Sequence, residues 1–280
     1  QTHGYEIELK FQHRTKNGLY FWIKPAISFS DNRIITRDEP LYKPEYQKQA
    51  GKRIYQLFGN VSQGWVQNAD QLMNSTRYGS SLFGLGDTRW VDFNGDGVID
   101  VNDEVPIGYS REYPLYNLSL NGGLRYKNFD LDVTFAGVTG YSKVVVDAFM
   151  WPLHRLTNQV FEYQLDVWSP SNPNAGYPSF RYDANRINNN ISDGDANSNT
   201  VYDATYVRLK AVNLGYTVPK KITKMLGLGD LNIFLRGNNL FTWSPFYPLS
   251  DPEASDDGLN LSNAYYPMLR RFQLGAKLTF

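Results

Sequence analysis

In an extended strand, side chains at every second position share a face. A sustained two-residue alternation of apolar and polar side chains therefore restricts a segment to a strand with two unlike faces. This chain repeats that signal along seven stretches. In 5–14, Tyr5, Ile7, Leu9 and Phe11 alternate with Glu6, Glu8, Lys10 and Gln12, and in 19–29 Leu19, Phe21, Ile23, Ile27 and Phe29 share a side. In 116–126, Tyr116, Leu118, Leu120, Leu124 and Tyr126 oppose Asn117, Ser119, Asn121 and Arg125, and in 130–141 Leu131, Val133, Phe135 and Tyr141 oppose Asp130, Asp132 and Thr134. In 205–218 the phase changes between Val207, Leu209 and Val212, Leu214, Tyr216, Val218, which predicts a β-bulge near Ala211. Leu231, Ile233, Leu235, Phe241 and Trp243 line up in 231–243, and Phe272, Leu274, Ala276, Leu278 and Phe280 alternate with Arg271, Gln273, Lys277 and Thr279 at the end.

The connections add a second constraint. Those at Thr15–Gly18, Lys127–Phe129 and Pro219–Asp230 are short, whereas those at about 31–113, 143–204 and 244–268 are long. Strict alternation of short and long connections in an antiparallel sheet places every long loop at one end. That is the layout of an outer-membrane β-barrel, with short turns on one side and long external loops on the other. Each predicted strand approaches or exceeds the ~9–11 residues that cross a bilayer at a tilt. The fold class predicted is all-β, an antiparallel transmembrane barrel segment of about seven strands. An odd count does not close an up-and-down barrel of this kind, so the pattern predicts further strands upstream or on another chain. Gln1 opens the sequence with no basic and apolar leader behind it, which predicts a processed or truncated product.

Composition agrees with this and excludes several functions. Aromatic residues make up 15% of the 280, including 20 Tyr, as suits exposed β-structure. Lys+Arg and Asp+Glu balance at 28 each, so no net field attracts nucleic acid. There is no Cys, which excludes disulfides, thiol catalysis and cysteine-ligated metal. No stretch reaches the ~18 apolar residues of a membrane helix. A soluble calcium-stabilised β domain that binds glycans is the alternative that the same alternation permits.

Within the first long connection, Asp92, Asn94, Asp96, Val98 and Asp100 occupy positions 1, 3, 5, 7 and 9 of a calcium-loop spacing, with Gly97 at the sharp turn and Asp103 at position 12. This predicts a structural Ca²⁺ clip on the 31–113 loop, with those six residues as ligands (Val98 through its carbonyl). Asp103 departs from the longer Glu usual at position 12, and no flanking helices are evident. Trp65, Trp151, Trp168 and Tyr177 fall in the long-loop regions, where aromatic faces either pack within the loops or stack on sugar or peptide groups; Trp151, Trp168, Tyr177 and Trp243 are the candidate contacts for such a ligand. His3, His13 and His154 are scattered and form no triad or metal spacing. Asp251, Glu253, Asp256 and Asp257 sit with Pro252 and Gly258 in what reads as a solvated acidic loop, where a glycosidase would need an acid/base pair. No enzyme activity is expected. Apolar spacing across 144–168 predicts a helix interrupted at Pro152, and 183–200, with six Asn and three Asp, reads as a mobile loop tip.

Several ordered motifs resemble one family. They are Gly4-Tyr5-Glu6-Ile7-Glu8-Leu9, the Asp92–Asp103 loop followed by Pro106-Ile107-Gly108, and Tyr126-Lys127-Asn128-Phe129-Asp130-Leu131. Asp203-Ala204-Thr205-Tyr206-Val207-Arg208-Leu209-Lys210, Leu214-Gly215-Tyr216-Thr217-Val218-Pro219, Gly237-Asn238-Asn239-Leu240-Phe241-Thr242-Trp243, Asp251-Pro252-Glu253 and the terminal Phe280 complete the series. Together these resemble the SusC/RagA-type TonB-dependent outer-membrane transporters. The resemblance implies that residues 1–280 are the C-terminal part of a plugged barrel of roughly 22 strands, with the plug and its TonB box outside this sequence. It also implies a SusD-like surface lipoprotein as partner, energy supplied through TonB, import of a glycan or peptide across the outer membrane, and Phe280 as an assembly signal.

Overall fold

Seven antiparallel ladder positions, each neighbouring the next in sequence, make one twisted sheet in the computed structural model, which describes residues 1–78, 83–110, 112–145, 150, 160–180, 196–225, 227–246, 250–253 and 268–279. In chain order the elements are β1 (Thr2–Glu8), β2 (Phe11–Arg14), β3 (Tyr20–Asn32), β4 (Gln56–Gly59), β5 (Ser62–Trp65), α1 (Ala69–Asn74), β6 (Thr88–Trp90), β7 (Val105–Ser110), β8 (Tyr116–Tyr126), β9 (Phe129–Thr139), β10 (Ser142–Val144), β11 (Val201–Asp203), β12 (Tyr206–Thr217), α2 (Lys220–Met225), β13 (Asp230–Trp243) and β14 (Arg271–Thr279). The main sheet runs β1-β3-β8-β9-β12-β13-β14, with β2 also on β3; among the described residues it does not close on itself.

The first predicted strand is split into β1 and β2 for a local reason. Its register on β3 is continuous, Glu8 opposite Ala26 and Phe11 opposite Ile23, which sets Leu9 against Pro25. Leu9 donates its N–H to the Pro25 carbonyl at 3.1 Å. Proline has no N–H to return, so the ladder lapses there and resumes. The predicted bulge is present: β12 shifts register between Leu209 and Ala211 against both β9 and β13, and Asn239 across from it adopts φ +54°. The β8–β9 hairpin turns at Lys127 and Asn128, with Lys127 at φ +53°. Asn128 Nδ2 donates to the Thr217 carbonyl at 2.5 Å, which ties this turn to the neighbouring hairpin. The 219–229 connection differs from a plain turn, since α2 occupies it and Lys220 pairs with Asp230 at 2.6 Å.

Because every strand pairs with its successor, the connections after β3, β9 and β13 leave from the same end of the sheet. Two-residue periodicity then sorts the side chains. Across the sheet, Ile7, Ile27, Leu118, Gly137 and Val207 form one row, and Leu124, Leu131, Leu214, Leu235 and Leu274 form another. These rows belong to a face that carries no charged side chain between its aromatic ends, Asp31 lying beyond Phe29, and its large members are mostly exposed. Aromatic pairs flank it at both ends. Tyr5, Phe29 and Tyr116 meet at 5.3 and 4.9 Å on the long-loop side, while Phe11–Phe21 and Phe129–Tyr216 meet at 5.8 and 4.7 Å on the short-turn side. The opposite face carries Glu8, Lys24, Asn121, Asp132, Asn213, Arg236 and Lys277.

The buried core lies in the long loops. Val145, Met150, Tyr177, Ala204 and Phe246 form one cluster, Trp65, Trp168 and Ala175 a second, and Trp90 with Ile99 a third. Three two-stranded ladders, β10–β11, β4–β7 and β5–β6, brace them. Most of the helix predicted over 144–168 lies outside the described residues, and 162–165 forms a single 3-10 turn. Of the predicted loop tip, 183–195 lies outside the described residues, and 196–200 forms a turn in which Asn197 and Thr200 are buried. Asn197 Oδ1 accepts from the amides of Asn199 and Thr200 at 2.9 and 3.2 Å, and Ser198 donates its N–H to the Asn60 carbonyl.

Candidate functional site

Two surfaces meet at the long-loop end: the polar face of the strands and the cap built by the loops. The cap is one packed unit. Trp65 Nε1 donates to the Ala175 carbonyl at 2.7 Å and Trp168 Nε1 to Gln67 Oε1 at 2.9 Å, bonds that span 110 and 101 residues. Gly86, at φ +77°, lies against the Trp168 ring so closely that a Cβ there would collide with it. Phe246, from the third long loop, is buried among residues of the second.

This packing places the four aromatic candidates. Trp168 and Tyr177 are buried, with their rings held inside the cap. Burial also pushes the Tyr177 hydroxyl up from its usual range. Trp243 is 54% exposed and stacks edge-on with Phe241 at 4.4 Å, but it stands opposite Val207 in the apolar rows, on the face away from the polar side chains. Trp151 lies outside the described residues. His3 and His13 sit beside Phe29 and Phe21 at the edge of the sheet, and His154 is outside the described residues.

The acidic loop adopts the sharp turn its spacing predicts, with Gly97 at φ +83°. Asp92 accepts from the amides of Gly95 and Gly97 at 2.7 and 2.8 Å, Asn94 Oδ1 from Asp96 N at 2.9 Å, and Asp96 Oδ1 from Val98 N at 2.8 Å. Asp103 is 1% exposed and faces inward. Its carboxylate accepts from Phe93 N at 2.7 Å, Asn94 N at 3.3 Å and Asp100 N at 2.9 Å, so it pins the loop's ends together. Tyr46 and Gln47 clamp the loop from outside through the carbonyls of Asn102 and Val101 at 2.7 and 2.6 Å. The remaining donors, all hard oxygens, suit a hard cation. As placed, however, three acidic or His side chains do not gather around one point among the described residues.

The strongest charged arrangement is one that the sequence pattern left unpaired. Asp251 and Glu253 do not form a solvated acidic loop; they meet the polar face of β12. Arg208, 1% exposed, places Nη2 2.6 Å from Asp251 Oδ1 and Nη1 2.9 Å from Glu253 Oε2. Lys210 Nζ stands 2.7 Å from Glu253 Oε2, and the Tyr206 hydroxyl donates to Glu253 Oε1 at 2.5 Å. Burial raises the Glu253 pKa, but the Lys210 and Tyr206 hydrogen bonds and the Arg208 charge outweigh it and hold the group below the usual carboxylate range. Asp256 and Asp257 lie outside the described residues. The signal was legible in part: Tyr206, Arg208 and Lys210 alternate with Val207 and Leu209, so three polar groups face one way.

No family model matches the chain. TonB-dependent receptor P3 of Formosa agariphila is 29% identical over 303 residues, covering 100% of this chain and 29% of that protein. TonB-dependent receptor P26 of the same organism is 32% identical over 206 residues, covering 70% of this chain and 20% of that protein. Among solved structures, the RagAB peptide transporter superposes with a TM-score of 0.70 at 17% identity, over 100% of this chain and 29% of that one. The RagAB peptide importer in its closed-closed state gives 0.72 at 16% over the same shares. The chain thus spans less than a third of the length of each of these relatives.

Proposed function

Because this chain belongs to the SusC/RagA-type TonB-dependent transporters, we propose that it forms barrel strands in a bacterial outer membrane, within a protein that imports a glycan or peptide nutrient. The observation that carries this reading is the exposed, uncharged face that crosses all seven ladder positions between two sets of aromatic pairs. Water disfavours such a surface by about 25 cal/mol per Å², whereas lipid accepts it, and aromatic girdles mark the two membrane interfaces. Its height also fits. From Tyr116 to Tyr126, ten steps of ~3.4 Å at a tilt of ~45° give ~24 Å, close to the ~25 Å apolar band of such barrels.

In this reading the polar face of the strands lines the lumen and the loop cap faces outward. The cap is the surface for a SusD-like lipoprotein lid, and TonB acts through a plug region outside this sequence. Substrate contacts fall to the polar face and the outer surface of the cap, since Trp168 and Tyr177 are enclosed and Trp243 faces the apolar side. Ca²⁺ at Asp92, Asn94, Asp96, the Val98 carbonyl and Asp100 belongs to the same proposal. The ion would cross-link a loop that already turns correctly, with Asp103 as its pin rather than an exposed ligand.

The test is growth on single nutrients. A strain lacking the full-length gene should lose growth on one glycan or peptide class and regain it from the intact gene, but not from a version without its TonB-interacting segment. Unchanged growth, with the protein recovered in plain buffer rather than in the membrane fraction, would overturn the reading.

A further inference from the structure

The third long loop is fastened to the sheet at two kinds of anchor. Near its root, Ser244 Oγ donates to the Thr205 carbonyl at 2.7 Å and Phe246 is fully buried against Val145, Met150, Tyr177 and Ala204. Further along, Asp251-Pro252-Glu253 crosses onto β12, where one carboxylate engages three strand side chains at once. Plain alternation puts Tyr206, Arg208 and Lys210 on one side of β12, and the bulge falls at Lys210, the residue that both ladders skip. Asp251 completes the hook: its Oδ1 accepts both the Arg208 Nη2 donor and the Glu253 amide, at 2.6 and 2.9 Å. Arg208 is buried, and its Nε has no hydrogen-bond partner among the described residues, so its charge depends on these two carboxylates for compensation.

Apolar anchoring loosens gradually, whereas a single carboxylate shared by Tyr206, Arg208 and Lys210 holds or lets go as a unit. We propose that this cluster is a latch: residues 250–253 of the third long loop are held on the polar face of β12 with Glu253 as the catch, and losing the catch frees them from that face. Release uncovers Arg208 and Lys210 on that face. The consequence for solute passage rests on the polar face being the lumen wall, as proposed above; the latch itself does not.

The experiment is hydrogen–deuterium exchange on the full-length protein purified in detergent, with heat-modifiable electrophoretic mobility as a separate check that the barrel is assembled. Glu253→Gln keeps the shape of the catch and removes its charge. Amides of Ser250, Asp251 and Glu253 are expected to exchange at least about tenfold faster than in the unmodified protein, with the Phe246 anchor, β9 and β13 unchanged and mobility intact. Lys210→Met removes one of the three partners and should give a smaller increase in the same peptides. Exchange within about twofold of the unmodified protein in an assembled Glu253→Gln barrel would overturn the latch. So would failure of Glu253→Gln to assemble, which would make the cluster a folding requirement. Absence of heat-modifiable mobility in the unmodified protein would instead sink the barrel reading and leave the exchange result to decide the latch.

Discussion

Placing one charge at different depths of the apolar face yields a graded prediction. Leu120 lies on β8 four residues from Tyr116 and six from Tyr126, in the central part of the face, and its side chain is 37% exposed. At ~2.4 Å of height per residue, from a ~3.4 Å rise and a ~45° tilt, it stands ~10 Å from one aromatic rim and ~14 Å from the other. Leu124, two residues from Tyr126, stands ~5 Å from its rim by the same geometry. Arginine at the midplane of a barrel's lipid face costs about 2–4 kcal/mol, falling to about 0–1 near the interfaces. Leu120→Arg should therefore destabilise the full-length protein in lipid vesicles by about 2–4 kcal/mol, and Leu124→Arg by under about 1 kcal/mol. The adjacent Asn121 faces the other way and accepts from Thr134 Oγ1 at 3.0 Å. Asn121→Arg should lose that bond alone, about 1 kcal/mol. Equilibrium guanidinium unfolding followed by tryptophan fluorescence measures all three. Equal effects, or Asn121→Arg as the most damaging, would refute the assignment of faces.

Other consequences are local to the loops. Asp103→Ala removes the acceptor of three backbone amides and should open the 92–104 loop to proteolysis while leaving the barrel assembled. If Ca²⁺ binds the loop, terbium luminescence sensitised by nearby aromatic rings should saturate and be displaced by Ca²⁺, and Asp96→Asn should weaken it at least about tenfold. Absence of a saturable signal would remove the ion from the account. Glu39 accepts from the amides of Gln49 and Ala50 and pairs with Lys43, with the backbone hydrogen bonds the largest cause, and its pKa falls from 4.5 to about 2. A depressed folded-state pKa contributes stability that is complete above the unfolded value and disappears as pH falls through the folded one. Protection of the Gln49 and Ala50 amides should thus hold above pH 4.5 and decline toward pH 2, and Glu39→Gln should abolish that dependence.

The parts legible in the sequence are those governed by neighbours. Two-residue alternation located every strand of the main sheet to within a few residues, because a face that is wholly apolar leaves no freedom of register. The phase change after Leu209 was enough to place the bulge for the same reason. Pro25 broke the first strand through a missing donor, an effect that depends on which residue lies opposite and so becomes visible only once β1 and β3 are paired. The cap was not legible. Trp65 finds Ala175 110 residues away, beyond the whole β8–β9 hairpin, and the Trp168 ring is closed over by Gly86 and Gln67, contacts that no local pattern encodes. Charge patterning could not distinguish a solvated acidic turn from a hook, since Asp251 and Glu253 gain their meaning from Arg208 and Lys210, more than forty residues away.

If these strands span a bilayer, their apolar face meets lipid and their polar face does not. None of these 280 residues is a Cys, so no native thiol within them competes with a nitroxide scan along β8. Single cysteines at 117–121 and 124–125 of the full-length protein, reconstituted in lipid, would be read for collision with oxygen and with a water-soluble nickel reagent. Oxygen maxima are expected at Leu118, Leu120 and Leu124 and minima at Asn117, Ser119, Asn121 and Arg125. A flat profile, or maxima at the polar positions, would show that the apolar face does not meet lipid.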